Sequence, residues 1–319
     1  MQTIQLNTEI PFEMAGKRLD QVLVALFPDY SRARWQEWIK NGFVQVNSQT
    51  GKPKDKVHGG EIIDVKTTLK EISAWEAQEL PLNILFEDEE LLVIDKPAGL
   101  VVHPGAGNPD QTLLNAILHH APALSQIPRA GIIHRLDKDT SGVLVIAKTL
   151  FSHNFLVAQL QDRAFIREYH TVVTGLFTAG GTIDAPIGRH PTQRVQMAVV
   201  NNGKPAITHY RLLERFRAHT YVQVRLETGR THQIRVHFAH IRFPVVGDPV
   251  YGGHIRFPPK CSDNLRNTLE NFPRQALHAA RLGIVHPRTQ TPLEWLSPIP
   301  DDMSNLIKVL RDDRDAHST

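Results

Sequence analysis

Apolar residues recur along this chain at two spacings, and the changes between them mark its elements. From Gly16, the residues Leu19, Val22, Leu23 and Leu26 fall three or four apart, which predicts one face of a helix. Pro28-Asp29 interrupts it, and Ser31 is placed to cap a second helix carrying Trp35, Trp38 and Ile39 as far as Asn41-Gly42. The period then drops to two. Val44 and Val46 alternate, and after Gly59-Gly60 so do the residues from Ile62 to Val65. Two short helices and a small sheet are expected here, behind residues 1–15 as a short strand or ordered arm. The polar stretch 68–81, ending in Pro81, reads as a linker. The expected domains are therefore 1–75 and 76–319.

Beyond the linker, Leu91 to Ile94 reads as a strand and Lys96-Pro97-Ala98-Gly99 as a turn, followed by the glycine- and proline-rich loop His103 to Pro109. Asp110 is placed to cap a helix with Leu113, Leu114, Ile117 and Leu118, and Ser152 another with Phe155, Leu156 and Leu160. Arg167-Glu168-Tyr169 leads into a strand from His170 to Thr174. Residues 184–210 hold Arg189, His190, Arg194 and Lys204 among turn formers, as an exposed basic hairpin or loop would. Tyr221 to Leu226 alternates with Val222, Val224 and Leu226 on one side. Thr228-Gly229-Arg230 then turns into a helix lined by Ile234, Phe238 and Ile241. Asp301 is placed to cap the last helix, striped by Met303, Leu306, Ile307 and Leu310, with a frayed end from Asp312 to Thr319.

One stretch stands out. His134 to Gly142 is largely polar, yet it lies between two apolar runs, Gly131-Ile132-Ile133 and Val143 to Ala147, that read as buried strands. A loop held by two core strands can aim a reactive side chain, because function concentrates on loops over a rigid scaffold.

Composition narrows the classes. At 319 residues the chain can bury a substantial core, and its 41% hydrophobic content is ordinary for a globular protein. Cys261 is the only cysteine, which excludes a disulfide framework and a cysteine-rich zinc site. No apolar run approaches the roughly 20 residues that span a bilayer. Met1 to Glu13 lacks the pattern of a secretory signal, so the expectation is a soluble cytoplasmic protein. The net charge is only +3, so any nucleic-acid surface must come from clustering. Within 17–70, ten basic residues face six acidic ones, more than the net charge of the whole chain. Scattered charge commonly means a solvated helix face. Arg32 and Arg34 opening a helix, beside Lys52 and Lys54, fit phosphate contacts equally well.

Three readings compete for Asp137 and Asp139 beside His134. A metal site would want more ligands of defined geometry than lie nearby. Turn chemistry would have Asp, Thr and Ser satisfying backbone groups. The third makes one carboxylate a nucleophile, ionised and aimed. The helix opening at Arg230-Thr231-His232-Gln233-Ile234-Arg235 bears on the choice, because a helix N-terminus favours an anion and an arginine there can pair with a carboxylate from another loop. A surface capping arginine is the plainer alternative. Tyr169 reads either as half-buried core or as a ring on which a flipped base stacks. No Walker loop, GxGxxG fingerprint or His-Glu-x-x-His helix occurs.

Together, His134 to Gly142, Leu226 to His237, Gly247-Asp248-Pro249-Val250-Tyr251-Gly252-Gly253, Lys96-Pro97 with Val101 to Gly105, and Gln275 to Ala279 resemble the RluA-type pseudouridine synthases, over nearly the whole chain. Residues 17 to about 70 resemble the S-four-like RNA-binding module that precedes many of them, with Asn47-Ser48 where that module often has Asn-Gly. The resemblance implies an α+β fold: a mixed, largely antiparallel sheet with flanking helices, preceded by a small α/β RNA-binding domain. It implies isomerisation of uridine in RNA without metal or cofactor, and a monomer acting on large-subunit ribosomal RNA or a pre-ribosomal particle, at neighbouring uridines of one stem-loop. By the same resemblance Asp137 is the catalytic aspartate, Arg230 its ion-pair partner and Tyr169 the ring stacking on the target base. Arg135 enters the RNA stack in place of the flipped nucleotide, and Ile234 packs against the base. The alternatives are a related synthase acting on other rRNA or tRNA uridines and a non-catalytic ribosome-assembly factor.

Overall fold

The segments of alternating hydrophobicity form sheets in each of two units. A computed structural model describes residues 2–27, 30, 32–69, 75–105, 107–193 and 196–317, and it divides into units of 1–74 and 75–319. The expected cap Ser31, the break at Pro28-Asp29, Arg194 and part of the linker, 70–74, lie outside the described residues.

In the first unit β1 (Gln2–Glu9) is followed by α1 (Leu19–Leu26), α2 (Arg32–Lys40), β2 (Val44–Val46), β3 (Gln49–Thr50) and β4 (Ile62–Leu69). The antiparallel order is β1-β4-β2-β3, so the amino-terminal arm is a full strand of this sheet. Leu19, Val22 and Leu23 of α1 and Trp35, Trp38 and Ile39 of α2 share one core with Val44, Ile63 and Val65. Asn47 and Ser48 form the β2–β3 turn with φ of 49° and 67°, and Val46 stands opposite Gln49. That is the both-positive geometry of a tight hairpin, so serine in place of glycine leaves the turn type intact. Arg32 is not a free phosphate ligand here. It shares the buried carboxylate of Asp20 with Arg18 and Gln36. Burial works against the charge on Asp20, but these donors outweigh it and hold the carboxyl at about 2. Arg34 lies over the Trp38 ring, while Lys52 and Lys54 are exposed.

The second unit opens with β5 (Ile84–Glu87), β6 (Leu91–Lys96), α3 (Leu113–His120), β7 (Ser141–Ala147), α4 (Leu150–Gln161) and β8 (Ile166–Thr174). Then come β9 (Gly181–Asp184), β10 (Ile187–Arg189), β11 (Met197–Val199), β12 (Ile207–Arg215) and β13 (His219–Leu226). It closes with α5 (Gln233–His240), α6 (Asp263–Glu270), β14 (Leu277–Val285), β15 (Pro292–Leu296) and α7 (Asp301–Asp315). Among the described residues nine strands make one sheet in the order β5-β6-β7-β14-β8-β13-β12-β9, with β15 also on β14. Only the β7–β14 pair is parallel, and β10–β11 form a separate hairpin. Strands β6 and β7 are buried on both faces, which is why they read as continuous apolar runs. Leu92, Ile94, Leu144 and Ile146 join a core with residues of α3, α5, α6 and α7. Leu91, Val93, Val143 and Val145 pack instead with Leu156 of α4.

Several local expectations are corrected. Gly131-Ile132-Ile133 is not a strand: Arg129, Ala130 and Gly131 all have positive φ, and Ile132 makes a single bridge to Ile146. The α3 cap is Thr112, whose backbone N–H and hydroxyl both donate to Asn115 Oδ1, rather than Asp110. The α4 cap is Thr149, which accepts from the Ser152 N–H, so Ser152 lies inside the first turn. Pro300 stands at the cap position of α7. That helix runs intact to Asp315 because Asp313 is buried against Arg217.

At the parallel pair Gly142 has φ of +115°, and a Cβ there would lie 2.1 Å from the Ala279 carbonyl oxygen. Gly142→Ala is expected to destabilise the second unit by about 2–5 kcal/mol, from backbone strain and overpacking together. Denaturant unfolding checks this, and an unchanged midpoint would refute the close approach.

Candidate active site

The polar stretch 134–140 is pinned from three directions, by groups that bind its backbone and leave its carboxylates available. Lys96, at the end of β6, is fully buried and donates from Nζ to the carbonyls of Pro97 (2.7 Å), Leu100 (2.9 Å) and Lys138 (2.9 Å). Three acceptors match the three protons of an ammonium. Burial brings its pKa down to about 7, with Asp139 and then Asp137 opposing the shift. Gly99 N–H donates to the same Lys138 carbonyl. From the approach to β14, Arg274 donates to the Asp139 carbonyl at 3.1 Å and Gln275 to the Thr140 hydroxyl at 3.2 Å. Arg274 is itself fixed by Asp302 of α7. His134 belongs to the scaffold: its Nε2 accepts from the Val145 N–H, and burial takes its pKa down to about 3. Among the described residues no group of three or more His, Cys, Asp or Glu is arranged to hold a metal ion.

The guanidinium that meets Asp137 is that of Arg235, not Arg230. Arg235 Nη1 lies 3.1 Å from Asp137 Oδ2. Its Nε and Nη2 form a two-pronged pair with Asp248, at 2.7 and 2.9 Å. Arg230 instead turns its Nε to the Pro205 carbonyl. The reason is the helix start. His232, with φ of 56°, is the residue before α5, and Gln233 folds back to accept from Arg230 N–H and the Thr228 hydroxyl. Arg230 therefore lies in the turn outside the helix, whereas Arg235 projects from it, only 5% exposed.

Asp248 is buried and fully bonded. Besides Arg235 it accepts the backbone N–H groups of Val250 and Tyr251. Burial alone would raise its pKa, but Arg235 and these donors hold it below the usual carboxylate range. Burial likewise works against the charge on Arg235, and Asp248, followed by Asp137, raises its pKa instead. The Tyr251 ring lies under the guanidinium, 5.0 Å from Cζ to the centroid.

The other expected residues of this unit are placed as follows. Tyr169, on β8 opposite Val224, is buried in the core that holds Leu136, Leu226 and Ile234. Burial raises its pKa; Arg167 opposes this and the charge of Asp137 adds to it. Arg135 is exposed on the loop. Asp137 is thus a carboxylate with one oxygen held by a buried cation, within electrostatic reach of Tyr169 and two residues after an exposed arginine. Sequence reasoning passed over Arg235, Asp248, Tyr251 and His232. The traceable signal was an arginine within an apolar helix stripe and an aspartate in Gly247-Asp248-Pro249, two charges that require partners if buried.

Arg235→Met is expected to strand two carboxylates and cost about 3–5 kcal/mol, whereas Arg230→Ala should cost less than about 1 kcal/mol. Chemical denaturation of both variants checks the assignment, and the opposite ranking would overturn it.

Comparison with known proteins fits this geometry. The RNA pseudouridylate synthase family matches residues 90–240, and the S4 domain matches residues 17–63. The chain is 56% identical to ribosomal large subunit pseudouridine synthase D of Pseudomonas aeruginosa, over 98% of each chain. It is 54% identical to the protein of that name from Shigella flexneri, over 99% of this chain and 97% of that one. Among solved structures, human RNA pseudouridylate synthase domain containing 4 is similar with a TM-score of 0.57 and 26% identity, covering 72% of this chain and 93% of that chain.

Proposed function

The chain belongs to the RNA pseudouridylate synthase family and is an RNA pseudouridine synthase, and from that premise we propose that it modifies large-subunit ribosomal RNA with Asp137 as nucleophile. The net reaction is an isomerisation, so the composition of the uridine is unchanged. The bond from N1 to the ribose is broken and one from C5 is made, the proton on C5 leaves, and N1 gains one. Such chemistry asks for a nucleophile at the glycosidic bond, a surface for a base taken out of its stack, and something to fill the gap left behind.

The observation that carries the reading is the pairing of Asp137 with Arg235, within electrostatic reach of Tyr169. Asp137 Oδ2 is occupied by Arg235, which leaves Oδ1 as the attacking oxygen. Arg235 balances the charge of the reacting carboxylate without giving up a proton, because guanidinium stays protonated. Tyr169 supplies the stacking face and Ile234 the aliphatic wall against the uracil. Arg135, exposed two residues before Asp137, enters the RNA stack in the place of the flipped nucleotide. The relatives named for the ribosomal large subunit support the choice of RNA, and the reading takes neighbouring uridines of one stem-loop as its targets. Residues 17–63 act as the RNA-binding module, and Lys52 and Lys54 are its phosphate contacts.

Asp137→Asn is expected to abolish tritium release from C5-labelled uridine in ribosomal RNA while changing RNA affinity by no more than about threefold. Full release by this variant would remove Asp137 from the reaction. Lys52→Ala with Lys54→Ala should lower the slope of log affinity against log salt by about one unit per lysine. Filter binding across a salt series measures it, and an unchanged slope would place these lysines away from the RNA.

A further inference from the structure

Asp137 has a second neighbour that the reading above leaves unused. His232 Nε2 lies 3.8 Å from Asp137 Oδ1, the oxygen that Arg235 does not hold. On its other side, His232 Nδ1 lies 2.8 Å from the Tyr251 hydroxyl. That hydroxyl already accepts the backbone N–H of Met197 on β11, at 3.0 Å. Its own proton is therefore free to be donated to Nδ1. A ring nitrogen that accepts at Nδ1 carries its proton on Nε2. The backbone of the β10–β11 hairpin thus sets, through one hydroxyl, which edge of an imidazole faces the carboxylate.

We propose that His232 is a positioning residue for pseudouridine formation, held by Met197 and Tyr251 as the Nε2–H tautomer so that it hydrogen-bonds Asp137 Oδ1 once RNA fills the site. The inference rests on the functional reading above and extends it to the oxygen that reacts. At 3.8 Å the bond is not yet made, and a closure of under about 1 Å would make it. A neutral donor suits this place. It orients the attacking oxygen without adding a second full positive charge, which would blunt a carboxylate already paired with Arg235.

The charged groups around the ring agree with neutrality. Burial pushes the His232 pKa down. Asp137 of the central loop opposes this, Arg235 of α5 adds to it, Asp248 opposes and Arg135 adds. The only other titratable group in direct contact with it among the described residues is Tyr251. Protonating Nδ1 would break the bond donated by the Tyr251 hydroxyl and oblige that oxygen, which already accepts from Met197, to accept a second N–H and leave its own proton without this partner. Removal of that hydroxyl lifts this penalty, so His232 should then protonate at a higher pH.

The test follows tritium release from C5-labelled ribosomal RNA in single turnovers at saturating enzyme, between pH 5 and 9, with RNA affinity measured alongside. His232→Ala is expected to slow release by about 10–100-fold, the size of a lost hydrogen bond to a charged group, with affinity within about threefold. His232→Gln, which offers an amide N–H in place of Nε2–H, should recover most of that loss. Tyr251→Phe keeps the ring under Arg235 and should shift the acid limb of the rate to higher pH. A purely structural role would lower the rate equally at every pH. In the wild-type protein, nitrogen-15 spectra of labelled histidine should show the Nε2–H tautomer for the signal lost in His232→Gln, a readout independent of activity. Wild-type rates for His232→Ala would overturn the proposal, as would a glutamine variant no faster than alanine or an Nδ1–H tautomer in the spectra. A wild-type protein that releases no tritium would instead overturn the functional reading, and the role on Asp137 with it.

Discussion

Arg235 stands between two carboxylates, and that one shared cation organises the catalytic unit. A buried guanidinium needs compensation; Asp248 supplies it with both oxygens, and the backbone of Val250 and Tyr251 fixes Asp248 in turn. One donor, Nη1, is left over and aimed at Asp137. The division of labour is physical. Asp248 stabilises the cation permanently, so Asp137 can leave and return to it without leaving a buried charge unpaired.

The rest of the second unit serves to bring these groups together. The arginine lies 98 residues beyond Asp137 and 13 before Asp248, so no local interaction could assemble the triad. The sheet does it. Its one parallel pair carries the aspartate-bearing loop into β7 beside β14, where Arg274 and Gln275 take hold of its backbone. Lys96 holds it from β6 through three carbonyls. These anchors bind main-chain oxygens or a hydroxyl, so the loop is stiffened while its carboxylates stay free for chemistry. Tyr169 and Ile234 are part of the hydrophobic core.

The small unit follows a different logic. Among the described residues its two α-helices and four strands close around a tryptophan pair, edge to face at 5.0 Å. Arg32, which opens α2 like a phosphate ligand, is largely committed to the buried Asp20. Lys52 and Lys54 after β3 are exposed. A charge that looks available in a list of residues can thus be spent on its own fold.

Periodicity placed α1 to α5, α7 and strands such as β6, β7 and β13, because a side chain facing the core must be apolar whatever the topology, but it gave no reading of α6, β5, β12, β14 or β15. It marked Leu19 to Leu26, Trp35 to Ile39 and the alternation from Val222 to Leu226, and the motif around Asp137 marked the loop for chemistry. It misplaced the caps of α3 and α4, since Asp110, Thr112, Thr149 and Ser152 are all chemically competent caps and only the backbone path selects among them. It missed that Arg129 to Gly131 turn left-handed rather than extend, which composition does not encode for arginine and alanine. The partner of Asp137 was beyond its reach for a similar reason. Arg230 and Arg235 are chemically alike and five residues apart. Where α5 begins decides which of them points at the carboxylate, and that start is set by Gln233 folding back on Thr228 and Arg230 and by the packing of Ile234 and Phe238 into the core.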